Sequence, residues 1–309
     1  MMFHTQPPSR PIADFVERLW LHQGSVPSGA LDRVLPCGRE EILINLSDGE
    51  LRCYHDNGRL NGRTPGPIFS GLHRGAYLID TRQQSAIMGV HFKPGGAWCL
   101  LGLPVGELTD TRVAMADLLP GETRQLMDRL MQAGCPRDRL GILDAALVAR
   151  RLKKSKPLHS AVAWASHQIS RYPETVRIGH LAEESGISNK RFSELFTRQI
   201  GLNPKTFARL RRFQETVIRV HATRDPDWCG LALAMGYADQ AHLIRDFRAF
   251  SGLTPAAYHA RRGPFPHLVR LPEPPSDFFN TDRRSEGMLA GRSYSDSHSY
   301  ELESIPKKS

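Results

Sequence analysis

Twice between residues 178 and 258 the chain sets side chains suited to reading nucleic-acid bases along one face of a short amphipathic stretch. In the first, Phe192, Leu195, Phe196 and Ile200 recur with helical period, and at 100° per residue the opposite face carries Lys190, Arg191, Glu194, Thr197 and Arg198. In the second, Leu243, Phe247 and Phe250 form the apolar back, and Ala241, His242, Arg245 and Arg248 form the front. A guanidinium can bond guanine O6 and N7 together, and a glutamate can accept from cytosine N4. Lysine, arginine, histidine and the amides of a helix N-terminus can hold phosphates. The residues nominated for DNA contact are Ser188, Asn189, Lys190, Arg191, Glu194, Arg198, Gln240, His242, Arg245 and Arg248. One such face is weak, because an exposed arginine is usually only solvated. Repetition makes the signal specific.

The elements that would position these faces repeat as well. Leu181-Ala182 matches Leu231-Ala232, and Gly186 matches Gly236, at one offset. Phe196, Gly201, Pro204 and Phe207 match Phe247, Gly252, Pro255 and Tyr258 with one residue more. The insertion therefore falls just after the glycine, at a turn, where it costs least. Each unit reads as helix, turn, helix. A small alanine allows a close crossing, and the glycine takes the positive φ of a sharp turn. Ser188 caps the second helix of the first unit, and Gly201 ends it. The expected outward-facing helices run over about 189–200 and 240–251.

Length and charge fit two domains of a soluble protein. The 309 residues are 40% hydrophobic and 24% charged, with a formal net charge of +9. Residues 157–262 hold fifteen basic against nine acidic side chains, mostly arginine, an imbalance that favours polyanions. No apolar run is long enough for a membrane span, and the first residues do not read as a secretory signal. The five cysteines (Cys37, Cys53, Cys99, Cys135, Cys229) form no CxxC and read as free thiols in a reducing cytoplasm.

Residues 158–262 resemble the DNA-binding domain of the AraC/XylS family of transcription regulators. LAEESGIS, RFSELFTRQIGLNPKTF, FARLRRFQETVIRV and ALAMGYADQAHLIRDFRAFSGLTPAAY carry the resemblance. Leu243 and Tyr237 stand where the family usually has phenylalanine. The resemblance implies an all-α, homeodomain-like double helix-turn-helix joined by a linking helix over about Pro204–Val220. It also implies two recognition helices in successive major grooves, about one helical turn (~34 Å) apart.

The front of the chain reads as β-rich, with strands expected in 40–46, 51–55, 68–73, 76–80 and 86–92. LPCGREEILINLSDG, FSGLH and GVHFKPGGAWCLLGLPVGELTD resemble the sensor-like domains of some AraC-type regulators. This implies a cupin-like effector-binding or dimerisation domain. The expected organisation is α+β: a β-rich domain over 1–120, a helical connector and basic linker over 121–157, the DNA-binding domain over 158–262, and a Pro/Ser-rich tail over 263–309, disordered at its end. His55, His73 and His91 lie on or beside strands, but no HxH pair, phosphate loop, HExxH or nucleophile elbow accompanies them. Catalytic residues, cofactor and metal are therefore expected to be none. Cys37 reads as a bystander thiol before a redox sensor. The expected function is a cytoplasmic, nucleoid-associated, sequence-specific transcription activator or repressor. Its expected partners are double-stranded DNA, RNA polymerase, an unknown small-molecule effector and a second copy of the chain, with no membrane. The competing readings are a metal-dependent cupin-like or alkyl-transfer repair enzyme with an appended DNA-binding module, and a nucleoid binder of weak sequence preference.

Overall fold

The computed structural model describes residues 2–24, 31–47, 49–55, 59–81, 85–153 and 155–271. Its first half is built from β1 (Met2–Gln6), β2 (Val16–Gln23), β3 (Leu31–Val34), β4 (Glu41–Asn45), β5 (Glu50–Tyr54), β6 (Leu60–Pro65), β7 (Ile68–Ser70), β8 (Tyr77–Asp80) and β9 (Ala86–Phe92). Helix α1 (Gly96–Leu101), a 3-10 turn at Val105–Leu108, β10 (Arg112–Ala114), α2 (Met115–Leu118), α3 (Pro120–Gln132) and α4 (Pro136–Lys153) follow. The second half comprises α5 (Ser160–Arg171), α6 (Ile178–Glu184), α7 (Asn189–Ile200), α8 (Pro204–Ala222), α9 (Trp228–Ala234), α10 (Gln240–Ser251) and α11 (Pro255–Arg261), then β11 (Leu268–Arg270). The α+β class is the one expected.

The strands form two antiparallel sheets, in the orders β1-β2-β9-β4-β7-β10 and β11-β3-β8-β5-β6. Alternation along each strand decides what each face meets. Leu19, Leu21, Ile42, Ile44, Met88, Val90 and Phe92 point to one side of the first sheet, where they bury against α1, α3 and α4. The opposite face looks toward the second sheet. Cross-strand pairing there aligns Arg18, His91, Glu41, Ser70 and Arg112 in one polar row across five strands. Arg112 stacks on Tyr77 of the facing sheet, 3.7 Å from its ring centre.

All five expected strands are present: β9 has the expected bounds, β5 is shifted back by one residue, and β4, β7 and β8 are shorter than expected. β1, β2, β3, β6 and β10 escaped the sequence pattern, and β2 shows why: its second face carries Arg18, Trp20 and His22, so polar alternation hides a buried strand. The basic run after Ala149 is helical through Lys153, where its positive charges complement the C-terminal helix dipole. Just beyond it, Lys156 is tied down by its backbone N–H to Cys99 O at 3.1 Å and by Nζ to Gly102 O at 2.9 Å. The described segment after α11 includes β11, which adds antiparallel to β3. The expected disorder of the chain's end concerns residues outside those described.

One of the apolar cores spans both halves. Leu35 and Leu72 from the β-rich half, and Val269 of β11, share it with Phe196, Phe207, Phe213 and Phe247. No helix among the described residues is long and apolar enough to cross a membrane.

Candidate nucleic-acid interface

In the first unit Leu181 and Ala182 of α6 are buried at the crossing with α7. Gly186 makes the turn at φ +68°. Ser188 caps α7, its hydroxyl accepting from Arg191 N at 3.3 Å, and Gly201 closes the helix at φ +101°. The back of α7 buries Phe192, Leu195, Phe196 and Ile200, as expected. Phe196 packs on Phe207 of α8 at 5.7 Å between ring centres. Gln199 is buried too, and its amide oxygen accepts from His159 N at 3.0 Å, which orients α5. The front leaves Asn189, Lys190, Arg191, Glu194 and Arg198 exposed, beside the exposed cap Ser188.

The second unit repeats the plan. Asp227 caps α9, Gly236 turns at φ +69°, and Asp239 caps α10 by accepting from His242 N at 2.6 Å. Two residues lie between Gly236 and its cap Asp239 and one lies between Gly186 and Ser188, which locates the inserted residue in the turn. Leu243, Phe247 and Phe250 are buried, and Phe213 of α8 lies 5.1 Å from both aromatic rings. Leu243 and Tyr237 therefore keep the apolar roles expected of phenylalanines.

Arg245 and Arg248 are exposed on α10. The other two nominated residues of this helix are engaged within their own unit. His242 accepts from Ala238 N through Nδ1 at 3.4 Å and stands edge-on to Tyr237. Gln240 accepts from the Cys229 thiol at 3.3 Å.

Sequence reading missed Asp246. It is buried in α10 and receives a two-pronged contact from Arg209 of α8, at 2.7 and 3.3 Å. This pairing raises the Arg209 pKa further, chiefly through the hydrogen bonds. The signal was available: Asp246 falls three residues after Leu243, inside the apolar stripe, where a carboxylate requires a basic partner.

The β-rich half meets the trailing end of α7. The 3-10 turn Val105–Leu108 runs along it. A Cβ on Gly106 would stand 2.5 Å from Thr197 O, so only glycine permits this approach. Thr109 donates its hydroxyl to Gly201 O. Arg198, though exposed, holds its guanidinium 5.6 Å from the Trp98 ring centre. The leading turns of α7, with Asn189, Lys190 and Arg191, remain exposed.

The three histidines of the β-rich half do not converge. His55 is exposed, His73 bonds the Ser70 hydroxyl at 3.0 Å, and His91 meets Glu41 at 3.2 Å. Burial holds the His73 and His91 pKa values down at about 3. No group of metal-ligating side chains occurs among the described residues. Burial and the adjacent Glu41 push the Cys37 thiol pKa up, which opposes a reactive thiolate.

Residues 181–261 match a family described as a helix-turn-helix domain, and residues 4–114 match a domain of unknown function, DUF6597. No curated protein matches the chain. Among solved structures, similar ones include ToxT of Vibrio cholerae O395 bound to a methylnaphthalenyl butenoic acid, at 9% identity over 84% of this chain and 99% of that one, with a TM-score of 0.41. ToxT of Vibrio cholerae strain SCE256 bound to an unsaturated fatty acid shares 11% identity over 83% of this chain and 94% of that one, with a TM-score of 0.38. The AraC-like transcriptional activator CuxR shares 16% identity over 68% and 78%, with a TM-score of 0.20. Residues 181–261 are therefore a helix-turn-helix domain, in keeping with the two capped helix pairs and their exposed faces.

Proposed function

We propose that α7 and α10 enter successive major grooves on one side of a specific DNA site. The observation that carries this reading is the pair of matched exposed faces, each led by arginine and each backed by aromatic residues packed on α8. Arg191 and Arg245 are assigned to base edges, with Glu194 set to accept from a cytosine amine. Ser188, Asn189, Lys190 and Arg248 are assigned to phosphates near the helix starts and flanks. Arg198, Gln240 and His242 support the interface more than they read it, because each already has a partner within the chain.

The β-rich half, residues 1–120, acts as effector-binding or dimerisation domain, ahead of the connector over 121–157. Its route to the DNA-binding half is the turn Val105–Leu108 against α7. In this reading the chain is a transcription regulator of the AraC type that acts in the cytoplasm, on DNA occupied by RNA polymerase, as a homodimer. An effector shifts this equilibrium only by the difference in its affinity for the two states. Selection of bound genomic fragments by the purified chain tests the reading. Enrichment of one motif with two half-sites a helical turn apart supports it. Uniform recovery of all fragments would replace it with a non-specific binder.

A further inference from the structure

We propose that the seam between the β-rich half and the linking helix α8 binds the phosphate group of a small metabolite, gripped by Arg39, Arg211, His91 and His267. The hub is the loop from Leu35 to Arg39. Leu35 N donates to His267 O at 2.9 Å, which brings the strand after α11 alongside. Gly38 rides directly on α8, where a Cβ would stand within 2.5–2.8 Å of the Gln214 amide. That amide oxygen accepts from Arg211 Nη1 at 2.8 Å. On the other side Cys37 Sγ donates to Glu41 at 3.2 Å, and Glu41 meets His91 at the same distance. Three parts of the chain thus bring cationic or protonatable groups to one buried place.

The groups are under-matched. Arg211 Nε, His91 Nδ1 and His267 Nδ1 are shut off from solvent and have no hydrogen-bond partner among the described residues. Leaving such atoms unpaired is costly, more so on a charged group. The acids that act on Arg39 and Arg211 or touch His91 are committed. Glu17 is shared by Arg39 at 2.7 Å and Arg18 at 3.4 Å. Glu215 pairs with Arg219 at 3.3 Å. Glu41 is held toward its neutral form by burial.

The electrostatics agree from three sides. Burial first, then Arg39, Arg18 and His267, push the His91 pKa down to about 3. Burial first, then Arg39, Arg211 and His221, push that of His267 down to about 4. Burial and Arg39 lower that of Arg211 against the pull of Glu17, Glu215 and Cys37. Arg39 acts on all three.

A phosphate monoester fits because it carries between one and two negative charges and three acceptor oxygens. Guanidinium forks match that geometry better than an ammonium would. A singly charged carboxylate would leave more of the positive charge unmet. Binding would return the two imidazoles toward their ordinary pKa, so protons are taken up and affinity rises as pH falls. The link to DNA rests on the effector reading given above; the site itself does not.

The test uses the full chain with inorganic phosphate and glycerol phosphate at ionic strength fixed by chloride, with acetate as the singly charged comparison. At ten times Kd, phosphate should raise Tm by roughly 2–4 °C, and acetate should not. Sulfate, which stays doubly charged, should bind several-fold tighter at pH 6 than at pH 7.5. In Arg211→Met the phosphate effect should vanish, while the ligand-free variant melts no lower than the parent, because a crowded cation is gone. His267→Gln should keep the phosphate shift but flatten the sulfate pH dependence. No phosphate-specific shift, or an equal shift in Arg211→Met and Arg39→Met, overturns the site; so does an Arg211→Met chain that melts well below the parent. A phosphate-specific shift with unchanged DNA affinity establishes the site and refutes its coupling to DNA. Loss of DNA specificity altogether sinks only the groove assignment.

Discussion

The two helix-turn-helix units share one plan and differ in what holds them. The first is embedded: its α7 lies in the large core that also takes in α5, α8 and residues of the β-rich half, and its end is fastened by Thr109. The second has a small core of its own, Ala232, Met235, Tyr237 and Leu243, and is tied to α8 by aromatic packing and by the Arg209–Asp246 pair. Even the matched glycines do different work. Around Gly186 there is open space, so it answers only to the positive φ. At Gly236 a side chain would run into the carbonyl of Glu174, in the segment joining α5 to α6. Equal sequence marks can therefore carry unequal structural weight. The second unit leans on the segment before the first through its turn, and the first leans on the β-rich half through α7.

The largest expected effect breaks this symmetry directly. Gly236→Ala combines left-handed backbone strain with a backbone clash and should destabilise by about 3–5 kcal/mol. Gly186→Ala carries the strain alone and should cost about 1–2 kcal/mol. Urea unfolding of the two variants checks it, and equal midpoints would contradict the packing assigned to Gly236.

Next come the arginines assigned to bases. Arg191→Ala and Arg245→Ala should each weaken binding to the selected site by about 1–3 kcal/mol and relax preference at separate half-sites. Non-specific binding should change far less. If one substitution left affinity and preference intact, only the other unit would be reading DNA.

Much of this asymmetry could not be read from sequence. The helices, their caps and the apolar stripes were legible, because period, Ser188, Gly201 and the phenylalanines act locally. The exposed arginines were legible for the same reason. Gln240 and His242 were not: on a helical wheel both face outward, and only the folded turn brings Cys229 and Ala238 to them. The polar row Arg18, His91, Glu41, Ser70 and Arg112 was hidden because its members are spread over five strands, and register exists only between strands. β11 was hidden likewise, since its partner β3 lies more than two hundred residues earlier in the chain.

A middle-sized effect probes the second unit's tether. Asp246→Ala removes both bonds to Arg209, whose side chain is 41% exposed and can turn to water. The expected loss is therefore modest, about 1–2 kcal/mol. It should appear first as faster amide exchange in α9 and α10, with α7 protected as before. Uniform loss of protection in both units would mean that the pair holds the whole helical half rather than the second unit alone.

The smallest effect separates reading from docking at the end of α7. Arg198 sits on the outward face, where helical spacing assigns it to DNA, yet its guanidinium lies over Trp98 of the β-rich half. A cation over an indole contributes roughly 0.5–1 kcal/mol at a partly exposed site. If docking is its main role, Arg198→Ala should lower stability by about that amount. It should also loosen the Val105–Leu108 turn, and DNA affinity should fall less than in Arg191→Ala. Trp98→Leu should then reproduce much of the same loosening while leaving Arg198 in place. If Arg198→Ala instead costs as much DNA affinity as Arg191→Ala and leaves the turn unchanged, the guanidinium leaves the indole for a phosphate on binding. The β-rich half and the DNA would then compete for one side chain, which would give the embedded unit a direct means of sensing the state of its partner domain.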